Sequence, residues 1–122
     1  MKKKTKDHYI VERGKIFCLE PSGSYNQNNL ANLVLVISNE FHNQFSNHLV
    51  VILATDKNTE QVRPSFETIC EISHKKIKIL TSHLCTISKE TFHKLEHYVG
   101  KVDEETLEKI DNQIKLILGL SN

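Results

Sequence analysis

The feature that most constrains the fold is a pair of apolar runs in the first half of the chain. Residues 33–38 and 49–54 consist almost entirely of leucine and β-branched residues. Such near-continuous runs are typical of central strands that are buried on both faces of a sheet. Neither run approaches the length that a membrane span needs. The chain must therefore build a sheet whose two faces are both covered.

Weaker strand signals lie on either side of these two runs. Residues 14–19 carry apolar side chains on both parities and predict a first strand. The loop between the two central strands is polar except for Phe41 and Phe45, which we expect to act as aromatic pegs, and residues 56–64 form a second polar loop. The second half of the chain predicts three more short strands, at residues 66–72, 77–80 and 84–87.

Only the end of the chain is plainly helical. Asp103 is the predicted N-cap and Gly119 the predicted C-cap. A shorter helix is predicted to begin at Ser88, whereas the segment up to Tyr98 fits neither pattern clearly. The apolar face of the last helix recurs at spacings of three and four and consists of Leu107, Ile110, Ile114, Ile117 and Leu118. The sequence thus predicts an antiparallel sheet or barrel closed by one C-terminal amphipathic helix.

The composition is that of an ordinary globular chain. Of the 122 residues, 39% are apolar and 25% charged, which predicts one domain over residues 1–122 with a basic arm, residues 1–9, that frays in solvent. Three widely spaced cysteines favour a reducing cytoplasm over a disulfide framework. Because the formal net charge is only +1, a nucleic-acid partner would need a local patch. No membrane partner is expected.

The cysteine and histidine residues are of the types that bind zinc, but their spacing in the sequence argues against a zinc site. Cys70, His74 and the HisLeuCys of residues 83–85 are soft ligands, but no CysXXCys pair accompanies them. His93 and His97 would share one face only on a helix, and two ligands do not make a structural site. We therefore predict no metal and no other cofactor. We interpret the three cysteines as small core residues.

Seven blocks of sequence, taken in order, resemble the MazF/PemK toxins of type II toxin–antitoxin systems. They cover nearly the whole chain from residue 10 to residue 120 and lie at residues 13–16, 21–24, 34–39, 50–55, 86–92, 99–107 and 118–120. The resemblance implies a mainly β fold with α-helices, namely an SH3-like antiparallel barrel of the CcdB/MazF type with a C-terminal amphipathic helix. That fold agrees with the elements predicted from periodicity alone.

The resemblance also implies an activity. Such toxins pair as homodimers and cut single-stranded RNA, including mRNA, without a metal: the ribose 2′-hydroxyl attacks its own phosphate and leaves a cyclic phosphate and a 5′-hydroxyl. This chemistry needs a base, an acid and groups that stabilise charge on the phosphorane. The implied partners are single-stranded RNA, a cognate antitoxin protein and a second copy of the chain, all in the cytoplasm.

The chain matches the family's two characteristic site residues unequally. The family typically has a threonine at the end of its third strand, which Thr55 matches, and an arginine just before its second strand, where this chain has Asn32. We therefore expect a weakened activity, with Asn32 in contact with RNA. Arg63, in the loop after Thr55, is assigned to catalysis, and its alternative is a solvated loop residue. Arg13 is assigned to RNA binding, and its alternative is a surface charge.

Histidines are the other candidates for proton transfer because they titrate near neutrality. His83 corresponds to a position where the family often has a glutamine that faces the RNA, and it is assigned to catalysis. The alternative is a part-buried histidine bonded to the backbone. His48 flanks the loop before the third strand and is assigned to RNA binding.

The uncharged stretch of residues 24–32 has two interpretations. It is a flexible connection satisfied by water, or it is a lid over the RNA. As a lid, Ser24 and Asn32 would contact the RNA, and Tyr25 would stack on a base. The sequence leaves both interpretations open.

Three functions are compatible with the sequence. The first is an endoribonuclease toxin that retains Thr55 and uses His83 or Arg63 in place of the lost arginine. The second is a barrel with decayed chemistry that binds RNA or a protein, as gyrase poisons of similar fold do, although the C-terminal helix lacks the aromatic tip that would favour gyrase. The third is a small dimeric structural protein.

Overall fold

The computed structural model describes residues 10–20 and 32–120. The basic arm, Ser24 and Tyr25 lie outside these residues, so the predictions made for them stay predictions. The described chain forms six strands and three helices in the order β1 (Lys15–Leu19), β2 (Leu33–Val36), α1 (Glu40–Phe45), β3 (His48–Thr55), β4 (Glu67–Ile72), β5 (Lys75–Ser88), α2 (Lys89–Leu95), β6 (Glu96–Lys101) and α3 (Glu104–Leu118).

All six strands belong to one antiparallel sheet with the order β4-β5-β3-β2-β1-β6. The two apolar runs form the neighbouring strands β2 and β3 in its middle, as predicted. The sheet curls until its edge strands β4 and β6 approach each other. They meet at Gly100, where a Cβ atom would overlap the side chain of Ile72. The predicted SH3-like barrel is therefore confirmed, in the form of a six-stranded half-barrel.

Each face of the sheet has its own apolar core. The face under α3 buries Leu107 and Ile110 of that helix together with side chains of β1 to β5. On the opposite face, Phe92 of α2 packs edge-on against Phe17 of β1, with 4.8 Å between the ring centroids. The near-continuous apolar runs follow directly from this arrangement, because every residue of β2 is buried against one core or the other.

The C-terminal helix begins and ends where the sequence predicts. The carboxylate of Asp103 accepts a hydrogen bond from the backbone N–H of Thr106 at 2.8 Å. The side chain of Thr106, together with this N–H, holds the pKa of Asp103 below its usual value. Gly119 ends the helix in the left-handed region, with φ of 73°. The prediction that Leu118 belongs to the buried face is wrong, since its side chain is 53% exposed. The last turn borders a shallow cleft beside Leu84 instead of the closed core.

Three elements differ from the sequence prediction. The strands predicted at 77–80 and 84–87 are one strand, β5, because the polar residues between them stay in the sheet as a bulge opposite Leu53. The loop before β3 contains α1, which Asn39 caps by accepting from the N–H of His42 at 2.9 Å. Phe41 and Phe45 are not pegs in the core, since they are 74% and 68% exposed and stack on each other.

The ambiguous segment before Tyr98 is also resolved. The chain leaves α2 at Glu96 and continues as β6, so His93 and His97 lie on different elements and do not form a helical pair. Cys85 is exposed, which contradicts its assignment to the core, whereas Cys18 and Cys70 are buried as predicted. Within the described residues, no helix is both long enough and apolar enough to cross a membrane.

Candidate functional site

Thr55 ends β3 at one end of the sheet. Its hydroxyl oxygen accepts a hydrogen bond from the backbone N–H of Lys57 at 3.0 Å, a local turn that fixes the side chain where the strand stops. Asp56 follows with a largely buried carboxylate, 3.6 Å from the ammonium of Lys57 and 3.9 Å from that of Lys75. Thr55 is therefore surrounded by charged groups, although it ends an apolar strand.

Asn32 lies at the same end of the sheet as Thr55. It directly precedes Leu33, the first residue of β2, and Leu33 pairs with Ala54, the residue before Thr55. Asn32 adopts the left-handed region, with φ of 57°, and its side-chain amide donates to the carbonyl of Leu19 at 3.3 Å. The structure thus brings together the two positions that the sequence singles out, with an amide in place of a guanidinium.

Lys78 is the partner of Thr55 on the other side, in β5. It is only 8% exposed, and its ammonium donates to the carbonyl oxygens of Asn58 at 3.0 Å and of Gln61 at 2.9 Å. The carboxylate of Glu67 lies 3.8 Å away. A buried ammonium needs such partners, and here they hold the loop that follows Thr55.

A polar cavity of about 490 Å³ opens between this loop and strands β4 and β5. Lys78 and Glu67 line it from the sheet, and Glu60, Gln61 and Arg63 line it from the loop. Arg63 is exposed, and its backbone N–H donates to the carboxylate of Glu67 at 2.9 Å. Arg63, which is predicted to serve catalysis, thus lines the same cavity as Lys78, and Lys78 is the strand partner of Thr55.

Arg13 has a different environment. Its Nε donates to the carbonyl oxygen of Ile37 at 2.7 Å, and its guanidinium pairs with Asp111 of α3. Its backbone N–H donates to Glu40 at 3.3 Å. These contacts tie the start of β1 to α1 and α3, so the described partners give Arg13 a structural task and do not bring it to Thr55. Its assignment to RNA binding stays a prediction.

His83 lies in the bulged stretch of β5, opposite Leu53. Its neighbour Leu84 borders the cleft beside α3, so alternation along the strand sets His83 on the other face, which it shares with Thr55. His83 is exposed, which contradicts the part-buried alternative. The bulge also separates it from Thr81, which is buried and donates to Gln113.

His48 begins β3 and is paired with Ser88 of β5. Seven residues separate it from Thr55, which corresponds to about 23 Å along an extended strand. One copy of the chain therefore does not bring His48 to the Thr55 end of the sheet, and its role in RNA binding stays a prediction.

The sequence analysis missed Lys78 and its partner Glu67. The available signal was the charge itself, because Lys78 stands between Ile77 and Ile79 in a run that otherwise reads as buried strand. A lysine in such a position needs acceptors that only the fold supplies. Its importance could be suspected from the sequence, but its partners, in a loop 17 and 20 residues earlier, could not be identified.

Neither a metal cluster nor the larger cavity changes this description. Among residues 10–20 and 32–120, no group of three or more His, Cys, Asp or Glu side chains is arranged to hold a metal ion. A cavity of about 550 Å³ lies between α3 and β4, where Gln113 and Lys109 line it. It contains none of the residues predicted to act on RNA. The candidate functional site is therefore the one at Thr55.

The sequence model of one protein family matches residues 12–118, and that family is the PemK-like, MazF-like toxin of type II toxin–antitoxin systems. The chain belongs to this toxin family. A search of curated protein sequences finds no match. Thr55 and Asn32, the two positions that the resemblance singled out, thus lie at the same end of the neighbouring strands β3 and β2.

Solved structures of this toxin type share the fold. An endoribonuclease in complex with its cognate antitoxin, from a mycobacterial species, superposes with a TM-score of 0.70 at 21% identity over 92% of this chain and 98% of that one. MazE-MazF from Deinococcus radiodurans gives 0.69 at 16% identity, over 93% and 100% of the two chains. The Mycobacterium tuberculosis toxin MazF-mt6 gives 0.65 at 14%, over 88% and 99%. The half-barrel with its C-terminal helix is therefore a MazF-type fold.

Proposed function

We propose that this toxin is a metal-independent endoribonuclease that cuts single-stranded RNA. The ribose 2′-hydroxyl attacks the adjacent phosphorus, the bond to the 5′-oxygen of the next nucleotide breaks, and the products carry a 2′,3′-cyclic phosphate and a 5′-hydroxyl. The observation that carries the proposal is that Thr55 ends β3 beside the start of β2, which Asn32 directly precedes, because Leu33 pairs with Ala54. These are the positions that correspond to the threonine and the arginine of the resembled family.

Thr55 is suited to stabilise the phosphorane. A hydroxyl accepts through its oxygen and has one proton to donate. The oxygen of Thr55 accepts from Lys57, and the hydroxyl proton can be donated to a phosphoryl oxygen on which negative charge develops. Asn32, beside the start of β2, has a side-chain amide with a second N–H besides the one donated to Leu19.

The remaining charge and the proton transfer have to come from further away. Arg63 is exposed and lines the cavity under the loop after Thr55, and His83 is exposed in the bulged stretch of β5. In this proposal Arg63 closes over the phosphate once RNA is bound, and His83 transfers a proton. An exposed arginine loses more side-chain entropy on binding than a fixed one, so catalysis is weaker than with an arginine at residue 32.

The proposal includes a cognate antitoxin, a homodimer and the cytoplasm as the place of action. Solved relatives of this fold are complexes of a toxin with its antitoxin. A homodimer is supported by β5, whose residues 82–86 are exposed on both parities because β4 pairs only with the first part of the strand. Leu84 of this stretch and Leu118 of α3, which border one cleft, are both exposed. A second copy would cover this apolar surface.

The experiment is an incubation of the purified chain with single-stranded RNA in excess EDTA. We expect cyclic-phosphate ends whose formation drops at least about a hundredfold on Thr55→Ala, as for the loss of one donor to an oxyanion. Thr106→Ala, in the first turn of α3, is the matched control. Intact RNA at high protein concentration would refute the endoribonuclease.

Asn32 itself gives a second test. Asn32→Arg restores the family's guanidinium and should raise cleavage, whereas Asn32→Gln carries the same cost of a left-handed backbone without the charge. A gain with arginine and none with glutamine supports a catalytic site that lacks only its cation. The second candidate function is a barrel that binds RNA or a protein without cutting, and the replacement of the family arginine by Asn32 is the observation that favours it. No gain in cleavage with either variant would support this second function.

A further inference from the structure

The loop after Thr55 is held by specific hydrogen bonds. Asn58 adopts the left-handed region, with φ of 54°, and its carbonyl accepts both from the N–H of Gln61 at 3.2 Å and from the ammonium of Lys78. The loop returns to β4 through Arg63, whose N–H is bonded to Glu67 and whose carbonyl accepts from the N–H groups of Phe66 and Glu67. Hydrogen bonds therefore hold the backbone of this loop over the cavity of about 490 Å³ in the free chain.

The charges in the cavity do not fit a phosphate. The ammonium of Lys78 is already directed at two carbonyl oxygens, and the carboxylate of Glu67 lies 3.8 Å from it. Glu60 adds a second carboxylate to the lining. The cavity thus offers acceptors and little free positive charge, except for the guanidinium of Arg63. An uncharged group that carries hydrogen-bond donors fits this lining better than an anion does.

The cavity adjoins the position where the proposed function puts the scissile phosphate. Lys78 is the direct partner of Thr55 across β3 and β5, and its side chain lines the cavity. The loop that closes the cavity leaves the sheet at Thr55. An RNA strand whose phosphate lies at Thr55 therefore has this opening within reach of a neighbouring nucleotide. Volumes of several hundred cubic ångströms are typical of sites for small molecules, so one base fits.

Resting on the proposed function, we propose that this cavity is a subsite for one nucleobase next to the cleaved bond, that it selects bases with an exocyclic amino group, and that Lys78 positions its loop. Adenine, cytosine and guanine present such amino donors, and carboxylates accept them. Uracil offers one N–H between two carbonyl groups, which would face the carboxylates of Glu60 and Glu67. Single-stranded RNA is read at these edges because its bases are unstacked. Uracil is therefore the base that the subsite rejects.

The test is the cleavage of an RNA pool with randomised positions on both sides of the cut, read by sequencing the ends. The wild-type chain should disfavour uracil about tenfold at one position beside the cut. Glu60→Gln replaces a pure acceptor by a group that both accepts and donates, so the bias should fall below about threefold. Glu108→Gln, on the exposed side of α3, is the control and should keep the bias. Equal use of uracil by the wild-type chain at every neighbouring position overturns the subsite.

A second measurement separates the subsite from the proposed chemistry. Cytidine, adenosine, guanosine and uridine 5′-monophosphates are titrated at millimolar concentrations into the full chain, and the backbone amides of residues 58–63 are followed by NMR. Larger shifts with the first three nucleotides than with uridine, lost in Glu60→Gln, support the subsite even if no RNA is cut. In that case the proposed function fails and the binding site stands. Absence of any selective shift, or equal shifts with all four, overturns the subsite.

Discussion

The segment from Asn58 to Glu67 is held from both faces of the sheet, and the two sides use opposite chemistry. From α3, the amide of Gln113 donates to the carbonyl oxygens of Pro64 at 2.8 Å and Glu67 at 2.9 Å. From β5, the ammonium of Lys78 donates to carbonyl oxygens earlier in the loop. One anchor is a neutral amide that lines the cavity between α3 and β4, and the other is a charged group that lines the cavity under the loop.

The difference separates stability from function. Gln113 also accepts from the hydroxyls of Thr68 at 3.0 Å and Thr81 at 2.7 Å, so all of its described hydrogen bonds join α3 to β4, β5 and the segment before β4. A network that is fully satisfied and buried fixes one arrangement of the core. Lys78 holds a loop that water can reach, and such a loop opens locally without unfolding the rest. We therefore expect the first anchor to set global stability and the second to set the shape of the site.

The largest effect is expected for Gln113→Ala. It leaves two buried hydroxyls and two carbonyl oxygens without their partner, and we expect a loss of about 3 kcal/mol in the free energy of unfolding. Urea denaturation measures it, and Asn112→Ala, the exposed neighbour on the same helix, is the control. If the two variants unfold at the same urea concentration, the hydrogen bonds of Gln113 do not set the global stability of the chain.

A smaller global effect and a larger local one are expected for Lys78→Met. Because the freed carbonyl oxygens of the loop can be hydrated, the free energy of unfolding should fall by only about 1 kcal/mol. The backbone amide of Gln61, bonded to Asn58, should exchange its hydrogen at least about tenfold faster. Lys76→Met, on the same strand and exposed, is the matched control. Unchanged exchange at Gln61 would mean that the loop holds its shape without Lys78.

The two anchors, Lys78 and Gln113, also show which parts of the structure can be predicted from the sequence. Apolar periodicity predicted β1, β2, β3 and α3 because burial and alternation are local properties of those segments. The continuity of β5 was missed because polar residues of its bulge imitate a turn. Of the site, the positions Thr55 and Asn32 follow from the order of motifs, whereas their common end of the sheet is seen only in the fold. The roles of Lys78 and Gln113 depend on partners 17 to 49 residues away, and no local pattern specifies such contacts.

The smallest effect is expected for Cys70 of β4, and it tests whether water is excluded from the core under α3. Burial, with a contribution from the nearby carboxylate of Asp103, raises the pKa of the thiol from 9.0 to about 11. Below pH 9 the thiol is protonated in both the folded and the unfolded chain. Between pH 9 and about 11 the unfolded chain loses its proton first, so the free energy of unfolding falls as the pH rises.

Urea denaturation at several pH values should therefore show a decline that Cys70→Ala lacks, by on the order of 1 kcal/mol at the upper end of this range. Lysine and tyrosine residues titrate in the same range, so the quantity to compare is the difference in slope between the variant and the wild-type chain. Cys85→Ala, which alters an exposed thiol, should keep the wild-type slope. Equal slopes for Cys70→Ala and wild type would mean that water reaches this face as it reaches the Lys78 loop, and the contrast between the two anchors would then rest on charge alone.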